Sequence, residues 1–260
     1  MSYALITGAS GGIGLELAIE LAKRKTNLLL IARSENNLAK ACDELRAKYG
    51  IKISYLAIDL SLNDSVDKIE SWINQNSFSV NILINNAGYG IWGRVDATSR
   101  EALNNMMQLN MNVVANLCHA FIPELKKHEK SYILNVASTA AYQAIPTLTT
   151  YAATKAFVVL FTRGLRSELK NTPISVSCLS PGATSTSFVE RAGMNSSLKE
   201  KAEKFSMKAS DVAKIGIDGM FKGKAEILPG FVNWISVQLT YLMPKGIPEK
   251  IAEGLYTTKN

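Results

Sequence analysis

Seven short runs of apolar residues, each followed by a longer stretch with helical periodicity, constrain the fold of this chain most strongly. The runs lie at residues 3–7, 28–32, 54–58, 82–85, 131–136, 175–179 and 226–228. The helical stretches are predicted at about 12–25, 35–49, 63–75, 100–127, 148–170 and 210–222. Continuous apolar runs that alternate with helices indicate a parallel sheet covered on both faces. The sequence therefore predicts an α/β fold with a Rossmann-type, doubly wound, parallel seven-stranded sheet.

Length and composition are those of one ordinary globular domain. The chain has 260 residues, of which 47% are hydrophobic and 20% charged, and it contains no low-complexity tract, internal repeat or linker-like stretch. The net charge of +7 is spread thinly, because the lysines of residues 199–208 alternate with Glu200 and Glu203. That pattern is typical of a solvated helix face, so no nucleic-acid partner is predicted.

The few cysteines and histidines argue against a disulfide framework and a metal site. Cys42, Cys118 and Cys178 are widely spaced and lie among apolar residues, which is typical of small buried thiols. We expect no metal at His119 or His128. The chain begins directly with its first apolar run, so no signal peptide is expected and a cytoplasmic protein is predicted.

A glycine-rich loop connects the first apolar run to the first helical stretch. Residues 7–14 read Thr-Gly-Ala-Ser-Gly-Gly-Ile-Gly. Glycines let a backbone approach a pyrophosphate closely, and a helix N-terminus offers free amides and the positive end of a dipole. The spacing differs from the common Gly-x-Gly-x-x-Gly fingerprint, but its place between a strand and a helix indicates a bound dinucleotide.

Tyr151 and Lys155 lie one helical turn apart in the stretch that starts near residue 149. Residues i and i+4 share a helix face, so the phenol and the ammonium can face the same cleft. A nearby cation lowers the pKa of a tyrosine and makes it a better proton donor and acceptor near neutral pH. The same spacing recurs at Tyr241 and Lys245, but Pro244 would break the turn that aligns that second pair. We therefore predict a catalytic pair at Tyr151 and Lys155 and a packing role for Tyr241.

Further polar residues follow the apolar runs, at the carboxyl edge of the predicted sheet where ligands bind. Ser138 follows the run at 131–136, and Asn86 belongs to an Asn-Asn-Ala-Gly segment at 85–88. Together with the glycine loop and the Tyr-x-x-x-Lys pair, these motifs stand in an order that resembles the short-chain dehydrogenase/reductase family. The resemblance covers roughly residues 3–230 and points to the single-domain, NADP-preferring branch that includes hydroxysteroid dehydrogenases and carbonyl reductases.

The resemblance implies a role for each catalytic residue. Ser138 would orient and polarise the substrate carbonyl, Tyr151 would protonate its oxygen, and Lys155 would hold the nicotinamide ribose and tune Tyr151. Asn110 matches the family asparagine that holds a water linking the lysine to solvent, and we choose it over the nearby Asn112 by its distance to the neighbouring motifs. The implied catalytic set is Asn110, Ser138, Tyr151 and Lys155.

The end of the second apolar run predicts which dinucleotide the protein uses. NAD-preferring relatives carry an acidic residue at the position that is Ala32 here, and Arg33 follows it. A guanidinium can hold a 2′-phosphate with two parallel hydrogen bonds, whereas a carboxylate would repel it, so NADP(H) is predicted. The residues that the resemblance implies for cofactor binding are Gly8, Ser10, Gly12, Ile13, Gly14, Arg33, Asp59, Leu60, Asn86, Ala87, Gly88, Tyr151, Lys155, Pro181, Gly182, Thr184 and Thr186.

The implied activity interconverts a ketone or aldehyde and its alcohol by hydride transfer, with reduction as the expected direction. A single NAD(P)-binding domain over residues 1–260 would carry a substrate lid at about 184–210 and a helical extension at about 230–260. The segments expected to line the pocket, 89–92, 142–146 and 188–207, are apolar and aromatic, which favours a hydrophobic substrate or reflects simple packing. Two alternatives stay open, a non-catalytic NADP(H)-binding sensor or scaffold and an NAD-linked alcohol dehydrogenase.

The C-terminal extension carries an apolar stripe at helical spacing, formed by Phe231, Trp234, Ile235, Leu239 and Leu242. The segment is too short and too polar to span a bilayer. Its stripe could cover the pocket or pack between subunits, which we favour, or rest on a membrane surface. The resemblance implies a homodimer or homotetramer.

Overall fold

A computed structural model describes residues 1–186, 188, 192–193 and 206–256, with side chains described as far as residue 254. Its main strands are β1 (Ser2–Thr7), β2 (Asn27–Ala32), β3 (Ile53–Ala57), β4 (Ser79–Asn85), β5 (Ser131–Val136), β6 (Ile174–Leu179) and β9 (Glu226–Ile227). They form one parallel sheet in the order β3-β2-β1-β4-β5-β6-β9. Two shorter strands, β7 (Thr184–Ser185) and β8 (Met207–Lys208), pair with each other in parallel. The predicted seven-stranded parallel sheet is confirmed.

Five of the six predicted helices begin and end within a few residues of the predicted positions, and the sixth, at 100–127, differs. The helices of the described residues are α1 (Gly12–Lys23), α2 (Glu35–Tyr49), α3 (Ser65–Gln75), α4 (Arg100–Met107), α5 (Val113–Leu125), α6 (Thr149–Glu168), α7 (Ala209–Phe221), α8 (Phe231–Leu242) and α9 (Gly246–Tyr256). Core residues of α1, α2 and α7 pack on one face of the sheet, and those of α3, α5 and α6 pack on the other.

Burial on both faces of the sheet explains why the apolar runs are continuous. In β2, Leu28 and Leu30 belong to the core cluster on one face, whereas Leu29 and Ile31 belong to the cluster on the other. Successive side chains of a strand point to opposite faces, so a strand between two helical layers needs an apolar residue at every position. The three cysteines are also buried and free, as predicted.

The helix predicted at 100–127 is wrong as one element. It consists of α4, a π-helical turn at Gln108–Asn112 and α5, which contains Pro123. The apolar periodicity continues through the break and so does not reveal it. Asn110, within the π-helical turn, makes its hydrogen bonds with Tyr89 and Thr154, far away in the sequence. π-helical turns inside helices are frequent at functional sites.

The C-terminal extension forms two helices, α8 and α9, but the apolar stripe of α8 does not cover a pocket. Phe231 is 74% exposed, Trp234 48% and Leu242 81%, and Ile235 and Leu239 are exposed as well. The opposite face of α8 faces the protein instead. No helix of the described residues is long and apolar enough to cross a membrane. Most of the predicted lid at 184–210, with Met194 and Phe205, lies outside the described residues.

Candidate active site

The glycine loop lies at the carboxyl end of β1, where the strand order of the sheet reverses between β1 and β4. Gly8 has a φ of +68°, a conformation that favours glycine. A Cβ atom at Gly14 would lie 2.2 Å from the carbonyl oxygen of Gly8, so the loop packs directly against the first turn of α1. Residues 11–14 line a cleft at this edge, and the first-turn amides of a helix have no partner within the helix. The loop therefore offers free N–H donors to the cleft.

A set of hydrogen bonds joins this loop to the segment that follows β4. The Thr7 hydroxyl accepts the backbone N–H groups of Asn86 and Ala87, both at 3.0 Å. The Asn86 amide nitrogen donates to the carbonyl oxygens of Thr7 and Gly8, at 3.0 and 3.3 Å. The two predicted cofactor segments thus hold each other in place. Thr7 is absent from the predicted site, although it opens the Thr-Gly spacing of the loop.

Ser138, Tyr151 and Lys155 all line the same cleft. Ser138 caps the 3-10 helix at Thr139–Tyr142, and its hydroxyl accepts the Ala140 N–H at 3.1 Å. Tyr151 and Lys155 are 7% and 5% exposed on α6, with the ammonium 5.9 Å from the centroid of the tyrosine ring. The predicted serine, tyrosine and lysine therefore meet at one place, between the carboxyl end of β5 and the start of α6.

The Lys155 ammonium is buried, and the backbone holds it in place. Its Nζ donates to the carbonyl oxygen of Val136 at 2.9 Å. Burial lowers the pKa of Lys155 from 10.5 to about 8, while the nearby Cys178 thiol acts in the opposite direction. A lysine with this pKa is still mostly protonated at neutral pH, so a positive charge stands beside Tyr151 there.

Asn110 is fully buried and lies behind the cleft rather than in its lining. Its amide nitrogen donates to the Tyr89 carbonyl oxygen at 2.9 Å and to the Thr154 hydroxyl at 3.0 Å, and its amide oxygen accepts the Tyr89 N–H at 3.1 Å. A Cβ atom at Gly88 would lie 3.0 Å from that oxygen and 3.2 Å from the Lys155 ammonium. Asn110 therefore shapes the wall beside Lys155, and its predicted part in a water relay stays a prediction.

Arg33 and Asp59 stand at the far end of the cleft, after β2 and β3. The guanidinium and carboxylate are 3.9 Å apart, and the side chains are 62% and 40% exposed. Burial of Asp59 raises its pKa, but hydrogen bonds from Ser61 and the charge of Arg33 outweigh that effect and hold the pKa below its usual value. Arg33 is thus an exposed cation that is only loosely paired, as a phosphate-binding residue would need to be.

A cleft of about 1460 Å³ connects these groups. Every predicted site residue except Asn110 lines it. Among the described residues that line the cleft, the charged side chains are Arg33, Asp59 and Lys155. Of the segments predicted to line a substrate pocket, Tyr89, Gln143, Ile145 and Phe188 do so, whereas Ile91 and Trp92 pack in a small apolar cluster beside it.

Helix α8 contributes a wall that was not predicted residue by residue. Asn233, Ser236, Val237 and Thr240 line the cleft, and the Asn233 amide lies within 2.7 Å of where a Cβ atom at Gly182 would be. Asn233, Ser236 and Thr240 are spaced so that they share one face of a helix, and this spacing in the sequence could have revealed the wall. The prediction followed the apolar stripe instead, which lies on the opposite face.

A second polar cluster, also absent from the prediction, supports the segment that begins with Ser138. The Tyr142 hydroxyl donates to the Glu226 carboxylate and lies 2.9 Å from the Ser180 hydroxyl. Burial and the neighbouring carboxylate raise the pKa of Tyr142 far above its usual value, so this phenol stays protonated. The Tyr142 ring also meets the Tyr241 ring of α8 edge to face, with centroids 6.1 Å apart. Tyr142 therefore joins the Ser138 segment to β6, β9 and α8.

The sequence of this chain matches the model of a known family. Residues 2–197 match the family model described as short chain dehydrogenase. The chain belongs to the short-chain dehydrogenase/reductase family. The very-long-chain 3-oxoacyl-CoA reductase of Mus musculus is 30% identical over 192 residues, which are 72% of this chain and 61% of that protein. The reductase-B of Danio rerio is 32% identical over 69% of this chain and 58% of its own length. This short-chain dehydrogenase thus spans about three fifths of the length of these relatives.

Solved structures of this short-chain dehydrogenase's relatives share the whole fold. A short-chain dehydrogenase from Sphingobium yanoikuyae in complex with NADPH is 26% identical, with a TM-score of 0.82 over 93% of this chain and 94% of its own. A short-chain dehydrogenase/reductase from Burkholderia phymatum in complex with NAD is also 26% identical, with a TM-score of 0.82 over 92% of each chain. Relatives of similar likeness therefore bind either dinucleotide.

The residues of this short-chain dehydrogenase fit a dinucleotide. A Cβ atom at Gly11 would meet nothing within 4 Å, so the space above the loop is open where a pyrophosphate would approach the first amides of α1. The cleft continues from there to Arg33 in one direction and to Tyr151 in the other. Within the described residues, no group of three His, Cys, Asp or Glu side chains could hold a metal ion.

Proposed function

We propose that the protein is an NADPH-dependent reductase that converts an uncharged, largely apolar ketone or aldehyde to its alcohol. The observation that supports this most directly is the cleft itself, which joins Ser138, Tyr151 and Lys155 at one end to Arg33 at the other. Family membership supports oxidoreductase chemistry with a nicotinamide cofactor.

The chain's own residues supply proton transfer and charge stabilisation in this proposal. Tyr151 would donate its phenolic proton to the substrate carbonyl oxygen, and the buried Lys155 ammonium would stabilise the phenolate that remains. The Ser138 hydroxyl would donate to the same oxygen while negative charge develops on it. A nicotinamide bound in the cleft would supply the hydride.

Arg33 supports NADPH over NADH. It follows the end of β2, lines the cleft and is 62% exposed, so its guanidinium is available for a 2′-phosphate. Asp59 is the one carboxylate among the described residues that line the cleft, and its charge faces Arg33 at 3.9 Å. A 2′-phosphate could therefore pair with Arg33 with little loss of stability from the Arg33–Asp59 ion pair, because that pair is long and solvated.

The substrate end of the cleft supports an uncharged, apolar substrate. Its lining includes Leu109, Ile145, Leu148, Phe188 and Val237. No charged side chain of the described lining other than Lys155 lies at this end, and the ammonium of that lysine is bonded to the backbone. By their names, the very-long-chain 3-oxoacyl-CoA reductases reduce a ketone on a long acyl chain, and the apolar part of this lining agrees with such a chain.

The proposal is tested by steady-state reduction of a panel of uncharged ketones, aldehydes and 3-oxo thioesters, with NADPH and NADH, for wild type and Arg33→Asp. We expect turnover of at least one apolar ketone, with a KM for NADPH at least tenfold below that for NADH. The Arg33→Asp variant should raise the KM for NADPH and change that for NADH little, so that the KM for NADH divided by the KM for NADPH falls.

Two results would overturn the proposal in different ways. Equal KM values for the two dinucleotides in the wild type would make the enzyme an NAD-linked or unselective dehydrogenase. Tight NADPH binding, measured by fluorescence, without turnover of any compound in the panel would identify a sensor or scaffold instead of an enzyme.

A further inference from the structure

Helix α8 turns its polar side to the cleft and its apolar side outward. Asn233, Ser236 and Thr240 line the cleft, and the apolar stripe lies on the exposed face. A helix that serves only to cover an apolar substrate would turn its apolar face inward. The observed orientation instead leaves polar groups of α8, with Val237, on the side of the cleft.

Two polar groups of this region have hydrogen-bonding capacity to spare. Asn233 and Thr240 already donate to carbonyl oxygens one turn earlier in the chain, both at 2.7 Å. Gln143 and Ser236 differ, because no group of the described residues pairs with the amide of the first or the hydroxyl of the second. Both line the cleft, where a substrate group could pair with them.

Tyr142 connects the two walls that carry these groups. Gln143 directly follows Tyr142, whose hydroxyl is hydrogen-bonded to Glu226 and lies beside Ser180 and whose ring packs against Tyr241 at the end of α8. The same tyrosine therefore contacts both walls, the segment after Ser138 and helix α8. Such support is what a site needs to distinguish one substrate group from another.

The described residues of these two walls that line the cleft are uncharged. Arg33 and Asp59 stand at the opposite end of the cleft, and the Lys155 ammonium points to the Val136 carbonyl oxygen. Within the part of the chain that the structure describes, a carboxylate or phosphate near the reacting carbonyl would find no cation of its own. An uncharged acceptor, such as a carbonyl oxygen, would find an amide N–H and a hydroxyl.

We propose that Gln143 and Ser236 form a subsite for a second, uncharged hydrogen-bond acceptor of the substrate, of the kind an ester or thioester carbonyl beside the reacting ketone provides. The inference rests on the proposed function, since it places that ketone at Ser138 and Tyr151. The Gln143 amide donates to the second carbonyl and so determines specificity. It takes no part in proton or hydride transfer.

The test compares kcat/KM for ethyl 3-oxohexanoate and 4-nonanone, two compounds of equal chain length that differ in the ester group. A 3-oxo ester is intrinsically more reactive than a simple ketone, so a single ratio of kcat/KM for the ester to kcat/KM for the ketone is not informative. The change in this ester-to-ketone ratio between wild type and Gln143→Met is informative, because the intrinsic reactivity cancels. We expect the ratio to fall by about fivefold or more in Gln143→Met, since the ester carbonyl loses its donor, and by less in Ser236→Ala. Gln238→Met, on α8 outside the cleft lining, is the matched control and should leave the ratio unchanged.

The outcomes separate this inference from the function on which it rests. Unchanged ratios in both cleft variants, with both compounds turned over and NADPH binding intact, would overturn the subsite alone. An equal fall in Gln238→Met would show a general effect of glutamine replacement and would also overturn it. Failure of the wild type to reduce either compound, although it binds NADPH, would overturn the proposed function and the subsite together. The exposed Ser236→Ala variant keeps the test informative if Gln143→Met does not fold.

Discussion

Lys155 lies in an environment that is unusual for a lysine. It is 5% exposed, and its one hydrogen bond within the described residues goes to the Val136 carbonyl oxygen. No carboxylate of those residues lowers the cost of burying its charge. A buried cation without a counterion destabilises the folded state, and proteins keep such groups where chemistry needs them. Lys155 is therefore better explained by catalysis than by stability.

The pKa of Lys155 predicts a pH dependence of stability. Because its folded value is about 8 and its ordinary value is 10.5, the unfolded chain binds more protons between these pH values. Stability of the wild type relative to Lys155→Met should therefore rise with pH from about 8 upward, by up to about 3 kcal/mol near pH 10.5. Urea unfolding of both proteins at a series of pH values measures this difference. A difference that stays flat with pH would contradict a depressed pKa.

The Tyr-x-x-x-Lys spacing by itself does not identify a catalytic pair. Tyr241 and Lys245 have the same spacing, but α8 ends at Leu242 before Pro244, as predicted, and Tyr241 packs on Tyr142. What distinguishes the pair at 151 and 155 is its position after the serine and the glycine loop. The Thr7 hydroxyl could not be recognised in the same way, because its importance depends on hydrogen bonds to Asn86 and Ala87, far away in the sequence.

The glycine loop shows how one element depends on another. Its shape is fixed by close contact with α1 and by the hydrogen bonds of Thr7 and Asn86. Sequence spacing predicted the loop and its place between β1 and α1. It could not predict which glycines are required by packing and which only leave space for a ligand.

Two alanine substitutions separate those two kinds of glycine. Gly14→Ala places a methyl group 2.2 Å from the Gly8 carbonyl oxygen, so we expect a loss of about 2 kcal/mol in the free energy of unfolding and at least tenfold weaker NADPH binding. Gly11→Ala meets nothing within 4 Å and should change stability by less than about 0.5 kcal/mol. Urea unfolding and NADPH titration measure both effects. Equal stability of the two variants would contradict the packing described for the loop.

Apolar periodicity failed to predict two features of the helices. These are the break between α4 and α5 and the orientation of α8. Apolar spacing continues across residues 108–112, yet Asn110 bonds to Tyr89 and Thr154 and the helix forms a π turn there. In α8 the apolar stripe could have covered the pocket, packed between subunits or rested on a membrane surface, and its exposure rules out the first of these. Periodicity shows that a helix has two faces. Only tertiary contacts show which face lies inward.

At the scale of the whole molecule, the order of apolar runs was enough to predict the sheet. Parallel strands bring their carboxyl ends to one edge, and the reversal of strand order between β1 and β4 opens a crevice there. Residues that follow β1, β2, β3, β4, β5 and β6 all line the resulting cleft. Most predicted site residues line this cleft because they were chosen at the carboxyl ends of strands. The α8 wall lies outside that rule and was missed.

Most of the exposed large apolar side chains of the described residues lie on the two C-terminal helices. Exposed large apolar side chains of these helices include Phe231, Val232 and Leu242 on α8 and Ile247 and Ile251 on α9. Exposed patches of this kind mark contact surfaces in soluble domains. On the inward side, polar residues of α8 line the cleft. On the outward side, either packing between subunits or contact with a membrane surface would cover the exposed apolar residues.

The most direct test of the account follows the hydride and the proton together. With NADPH deuterated at the nicotinamide carbon that donates the hydride, mass spectrometry of the product should show one deuterium on the carbinol carbon of the alcohol formed by the wild type. Tyr151→Phe should still bind NADPH and form this alcohol about 10²- to 10⁴-fold more slowly. Product without deuterium, or undiminished turnover by Tyr151→Phe, would contradict the mechanism.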